Sequence, residues 1–223
     1  MWDEFIELSE SLSILFEGHF GAPKTVPFLE HPDHTNLCYE SKKLDLGHIS
    51  IIDKRHTKNP MWMMHVAAYA NINYPMPVYG FDVVCGKNKV TGVFHDISPT
   101  LELGSSTEKF FKYMTNPLTF QKNRELPPWA KSIFSPHMIA VGNPNKHERK
   151  TLTYLGRTML NEWINELQNS ITPSDSEVCI AYSSKLSDYC HGQLENTNSK
   201  NVMSALGMEE DYVNTFKKFQ FPY

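Results

Sequence analysis

Between Asn36 and Ile97 the chain runs through five short β-rich segments, LCYES, GHISIID, WMMHVAAYA, VYGFDVVCG and KVTGVFHDI. Only KN, NP, NYPMP and GKNK turns interrupt the later ones. Parallel neighbours need long crossovers, so connections this short make the segments a meandering antiparallel sheet. The ends of the chain read as helix. Trp2 to Phe16 carries Trp2, Phe5, Ile6, Leu8, Leu12 and Leu15 at helical spacing and ends at Gly18. Asn145 to Gln168 repeats Leu152, Leu155, Met159, Trp163 and Leu167 at i, i+3/i+4, and segments from Ser174, Ser199 and Glu209 continue in that style. A short helix, STEKFFKYM, precedes a Pro-rich connection that leads to an apolar edge strand, HMIAVG. Sheet in the middle and helices at both ends give a three-layer α/β/α sandwich with a central antiparallel β-sheet, a single domain over residues 1–223. With 40% apolar residues the chain can bury a real core.

The stretch MHVAAYANINYPMPVYGFDVV, Met64 to Val84, holds two titratable side chains inside apolar runs. If Tyr69 lies opposite Val78, as a turn at Asn71, Asn73, Pro75 and Pro77 requires, His65 lies opposite Asp82. Directly opposed residues share a face, with Cβ atoms about 4.5–5.5 Å apart. That face would carry His65, Ala67, Tyr69, Val78, Gly80, Asp82 and Val84. The greasier face, Met64, Val66, Ala68, Tyr79, Phe81 and Val83, would take the main helix layer, which leaves the first face as the lining of a pocket. Two readings of the pair stand at this point: a hydrogen bond that ties two strands, or a coupled proton-donating unit.

Other chemistries find less support. No serine or cysteine stands in a G-x-S-x-G turn, and H-x-H and H-E-x-x-H spacings are absent from the ten histidines. His31 and His34 form the one histidine cluster. The four cysteines, Cys38, Cys85, Cys179 and Cys190, lack C-x-x-C spacing and read as small core residues. No run reaches bilayer-spanning length, and MWDEFIELSESLS is acidic where a targeting peptide would be basic, so the expectation is a cytoplasmic protein with no membrane partner. A net charge of −4 argues against nucleic acid. The basic residues cluster instead, as at Lys42 and Lys43, Lys109 and Lys112, and Lys122 and Arg124, and a shared face would suit an acidic partner.

The runs YPMPVYGFDVVCG, HDISPT and QKNRELPPWAKSIFS together resemble the ferredoxin-dependent bilin reductases, most closely the phycocyanobilin-forming members, over roughly residues 44 to 205. The resemblance implies an α/β/α sandwich that binds biliverdin IXα between sheet and C-terminal helices, with no bound flavin, metal or nicotinamide. It implies electrons delivered singly by a reduced 2Fe-2S ferredoxin, protons from side chains, bilin radicals on the way, and a monomer. Asp82 matches the family's central aspartate and His65 its proton-relay histidine. Arg124 matches an arginine that grips one propionate, Thr91 a small hydroxyl residue at the other, and Asn196 the asparagine of the Y-C-x-x-Q-x-x-N turn. Asp53 falls, by a gapped match, where phycocyanobilin-forming members keep a glutamate that protonates the D-ring vinyl group. The acid that usually follows the C-terminal asparagine is Thr197 here. The expected reaction is biliverdin IXα to phycocyanobilin. Its alternatives are phycoerythrobilin, two-electron dihydrobiliverdin, or a carrier or lyase that holds the pigment unreduced.

Overall fold

The structure is a computed structural model and describes residues 2–98, 105–173 and 175–223, the side chains of Asn198 and Ser199 excepted. Its strands are β1 (His34–Tyr39), β2 (Leu44–Asp53), β3 (Trp62–Ala70), β4 (Val78–Cys85), β5 (Val90–Ser98) and β6 (Ile139–Val141). They pair antiparallel in chain order, β1-β2-β3-β4-β5-β6. The meander is therefore as read, with HMIAVG as its edge strand. The first strand lies earlier than LCYES because Ser41 Oγ accepts the Lys43 and Leu44 N–H groups at 3.2 and 3.1 Å, which makes the end of that run the hairpin turn.

The helices are α1 (Asp3–Phe20), α2 (Ser106–Thr115), α3 (Pro128–Ile133), α4 (Lys146–Asn169), α5 (Ser176–Leu194), α6 (Thr197–Ala205) and α7 (Glu210–Gln220). Contrary to the expected stop at Gly18, α1 runs on to Gly21, whose φ of 84° terminates it. Packing outweighs the weak helix propensity of Gly18: Phe16 stacks on Tyr39 at 4.9 Å and packs with Phe20. The boundary read at Ser174 lies outside the described residues. Helix α4 begins at a capping box, Asn145 accepting from the Glu148 N–H while Glu148 accepts from the Asn145 N–H.

One face of the sheet carries the larger core. Met64, Val66, Ala68, Tyr79, Phe81 and Val83 pack with Phe5, Leu8 and Leu12 of α1 and Leu155, Met159 and Trp163 of α4. Gly156 is required there, since a Cβ would meet the Phe81 ring at 2.7 Å. Tyr79 OH and Trp163 Nε1 then tie sheet and helix by donating to the Gly156 and Pro77 carbonyls. The opposite face holds smaller clusters: Ala67, Tyr69 and Val78 against Tyr182, Leu186, Tyr189 and Phe221, and Ile52 against Met203, Met208, Val213 and Phe216. Lys217 joins the helices over this face, donating to the Leu194 and Asn196 carbonyls at 2.8 and 2.9 Å. Among the described residues no helix is long and apolar enough to cross a membrane.

Candidate active site

On the thinner face, β3 and β4 pair with His65 opposite Asp82. The His65 Nδ1 is hydrogen-bonded to Asp82 Oδ1. The Asp82 side chain is 41% exposed and that of His65 15%, so the acid is the more accessible member of the pair. Phe94 of β5 stands opposite Asp82, and Phe94, Gly80 and Val84 are half-buried in the same strip. Phe221 closes one side, its ring edge-on to His65 at 6.2 Å.

Behind His65 the face is unexpectedly polar. On β2, Ser50 lies opposite His65 and His48 opposite Ala67. His48 is fully buried, its Nε2 is 3.0 Å from Asn36 Oδ1, and burial holds its pKa well below the usual histidine value. The neutral ring therefore donates through Nε2 to the amide oxygen. These residues went unnoticed in the sequence. Their signal is the alternation His48-x-Ser50 in GHISIID, which means nothing until the register of β2 on β3 is known.

That register also decides Asp53, and it corrects the expectation for this residue. Asp53 pairs with Trp62 and is three residues from Ser50, so it belongs to the opposite face of the sheet from His65 and Asp82. Its carboxylate accepts from Arg55 Nε at 2.9 and 3.1 Å and from Nη2 at 2.6 Å, and those hydrogen bonds lower its pKa. An ionised, bidentately paired carboxylate at a strand end is not poised to give up a proton.

Arg124 and Thr91 are brought together. A bulge between β4 and β5 places Thr91 where its hydroxyl donates to the Val84 carbonyl at 2.8 Å. The next residue, Gly92, lies beside Arg124, since a Cβ there would be 3.0 Å from Nη1. The guanidinium sits 5.5 Å from the Phe94 ring centroid, is exposed, and has no ion-pair partner among the described residues. Phe94 is the residue opposite Asp82, so this cation stands over the aromatic neighbour of the acid. Its segment is fastened by Arg124 N–H to the Ala140 carbonyl at 2.8 Å.

Farther along, the buried Asp96 accepts from the Ser135 N–H and hydroxyl and from the Ser98 hydroxyl, fixing the IFS end of the Pro-rich connection to the sheet. Burial pushes its carboxyl up to about 6 in spite of these donors. Asn196 lies in the turn between α5 and α6, its carbonyl held by Lys217. Of the basic residues read as a possible dock, Lys43 is committed to the end of α4 through the Gln168 and Ser170 carbonyls, whereas Lys42, Lys109, Lys112 and Lys122 are exposed.

A sequence model of the ferredoxin-dependent bilin reductase family matches residues 19–217. The chain belongs to that family. Among curated relatives, this bilin reductase is 23% identical over 171 residues to phycocyanobilin:ferredoxin oxidoreductase of Synechococcus sp., covering 75% of this chain and 67% of that protein. It is 24% identical over 195 residues to the enzyme of that name from Trichodesmium erythraeum, covering 84% and 76%. Among solved structures it resembles phytochromobilin synthase from tomato in complex with biliverdin, with a TM-score of 0.75 at 16% identity over 99% of this chain and 83% of that one. It also resembles PcyX, with a TM-score of 0.66 at 17% identity over 96% and 94%. At these identities the structures speak for the fold, and membership of the family makes this bilin reductase an oxidoreductase.

Proposed function

We propose that the protein reduces biliverdin IXα in the groove over β4 and β5, using single electrons from a reduced 2Fe-2S ferredoxin and protons from Asp82 and His65. The reading includes bilin radical intermediates, no bound flavin, metal or nicotinamide, and a cytoplasmic monomer. The observation that carries it is the hydrogen-bonded His65–Asp82 pair with its acid the more exposed member. A tie between strands would have no need to expose its carboxylate. In this reading Asp82 protonates the pigment as each electron arrives, and His65 returns the proton through the bond they share.

Anaerobic incubation with biliverdin IXα, ferredoxin and a reducing system tests the proposal. Loss of the biliverdin spectrum with a new bilin on chromatography is the expected result. Pigment bound but unchanged would instead make the protein a carrier or lyase.

The product follows from the acids available. The resemblance assigns phycocyanobilin, and with it the D-ring vinyl proton, to Asp53. With Asp53 paired to Arg55 on the other face, the geometry weighs against vinyl reduction and supports the alternatives that keep the vinyl group, phycoerythrobilin or two-electron dihydrobiliverdin. Asp53→Asn is accordingly expected to change neither the product nor, beyond about twofold, the rate, as for an exposed ion pair. Chromatography decides this, and a product with its vinyl group newly retained would return Asp53 to the mechanism.

Arg124 supplies the anchor. Its free fork beside Thr91 suits one propionate carboxylate bidentately. Arg124→Ala should raise KM for biliverdin by about tenfold, the worth of one charge-assisted hydrogen-bonded contact, while kcat stays within about twofold. Steady-state kinetics over a biliverdin titration checks the split between the two constants.

A further inference from the structure

A second polar chain lies behind the donor pair, and the function just proposed does not use it. Tyr212 of α7 places its hydroxyl 2.6 Å from His34 Nδ1. His34 Nε2 is 2.6 Å from Ser50 Oγ. Ser50 in turn is the cross-strand partner of His65 on the same face, where opposed Cβ atoms stand about 4.5–5.5 Å apart. Ser50 is hydrogen-bonded to His34 and not to His65 in the structure, so transfer to His65 requires a turn of the serine rotamer or one bridging water. The Nε2 of His65 is buried and has no partner among the described residues, so one ring nitrogen is left to receive what Ser50 can give.

The outer end of the chain meets solvent. His34 is one of the lining residues of a surface cleft of about 410 Å³, together with Glu30, His31 and Asn36. His31 packs its ring 5.1 Å from Tyr212. Both His34 and Ser50 are buried, at 5% and 4% exposure, so these groups form a polar thread through an otherwise apolar layer that includes Leu29, Ile52 and Phe216. Such a thread is costly to bury unless each member is satisfied, and here His34 is satisfied at both ring nitrogens.

We propose that Tyr212, His34 and Ser50 form a proton-return relay that recharges His65 from the cleft on the far side of the sheet edge while the pigment covers the groove. The inference rests on Asp82 and His65 being the donors. The need for it follows from the proposed function: a tetrapyrrole bound over Asp82, which is 41% exposed, would cover the acid, and a reduction by successive electrons uses successive protons. Each passage moves one proton and leaves no charge behind. Tyr212 O–H gives its proton to His34 Nδ1 as His34 Nε2–H gives one to Ser50, and the Ser50 proton passes to His65. A proton from bulk solvent then restores the half-buried phenol, whose O–H turns between the Leu29 carbonyl and His34, and His34 returns to its Nε2–H tautomer before the next passage. His34 works as a neutral imidazole that exchanges tautomers, in keeping with the burial that lowers its pKa to about 4. The relay residues do not touch the pigment and act through His65.

The test is single-turnover reduction of bound biliverdin IXα by reduced ferredoxin, followed by absorption, in the parent, Ser50→Ala, Ser50→Thr, Tyr212→Phe and Asp82→Asn proteins. Loss of the relay hydroxyl in Ser50→Ala should slow decay of the radical intermediates at least about tenfold and enlarge the solvent isotope effect, with biliverdin binding unchanged. Ser50→Thr, which keeps the hydroxyl, should restore most of the rate, and Tyr212→Phe should fall between. If Ser50→Ala decays at the parent rate while Asp82→Asn is dead, the relay is overturned and the donor pair stands. If Ser50→Thr is as slow as Ser50→Ala, the site matters for packing and the relay is again overturned. Parent-like turnover by Asp82→Asn would remove the donor reading itself.

Discussion

Asp82→Asn is expected to bind biliverdin IXα and to lose product formation by at least about 100-fold, the usual worth of a placed general acid. Asparagine keeps the volume of the side chain and an oxygen that can accept from His65 Nδ1, while it removes the exchangeable carboxyl proton. Because the Asp82 side chain is 41% exposed, the change should cost little stability and the variant should melt within a few degrees of the parent. Electrons would still arrive, so a bilin radical should accumulate and be visible by absorption and electron paramagnetic resonance. Full turnover by this variant would sink the assignment.

The second large effect is on stability in mild acid. His34 and His95 are buried, and burial lowers the pKa of each to about 4, while His48 is held well below the normal value by the same cause. Unfolded histidine takes up its proton near 6.5, so between pH 6.5 and 4 the unfolded chain binds more protons than the folded one. Stability therefore falls as pH falls through that window, by about 2 kcal/mol for each of His34 and His95 at pH 5. His48 adds to the loss. Asp96 opposes it: its folded pKa of about 6 lies above the unfolded value, so protonation between pH 6 and 4 returns about 1 kcal/mol. The net loss of about 3 kcal/mol or more is a large part of the 5–15 kcal/mol that holds an ordinary domain together. Urea midpoints at pH 7 and pH 5 measure it, and equal midpoints would contradict the buried neutral histidines.

The hairpin that pairs His65 with Asp82 was legible because its turn is short and proline-bound, which leaves one register that puts a consistent apolar set on each side. Asp53 was misplaced for the complementary reason. A gapped match gives a position along the chain and not a side of the sheet, and one residue of parity turns a side chain away from the site. The signal was present in the pairing of Asp53 with Trp62, since Trp62 shares the parity of Met64 rather than of His65. His48 and Ser50 were hidden in the apolar run GHISIID, where a lone polar residue has no visible partner until strands are laid side by side, and His34 was visible only as a neighbour of His31 and not of Ser50. Asp96 and Ser135 are separated by 39 positions, and the Pro-rich connection before Ser135 has no periodicity from which their contact could be read. Singling out Arg124 likewise came from the motif and not from any pattern a strand or helix would leave.

A sheet whose strands pair in chain order is assembled largely from hairpins, each closing a short loop, and such local pairing favours rapid folding. The helices α1 and α4 then cover its richer face with the larger apolar cluster, whereas α5, α6 and α7 come last in the chain and hold the other face through smaller clusters and the Lys217 contacts. The two halves therefore need not open together. The sheet with α1 and α4 can persist as one cooperative unit while the late helices loosen as another, at a free energy below that of global unfolding. A large flat pigment could thus enter by partial release of the outer wall, and by binding there it would stabilise the very segment that had yielded to admit it.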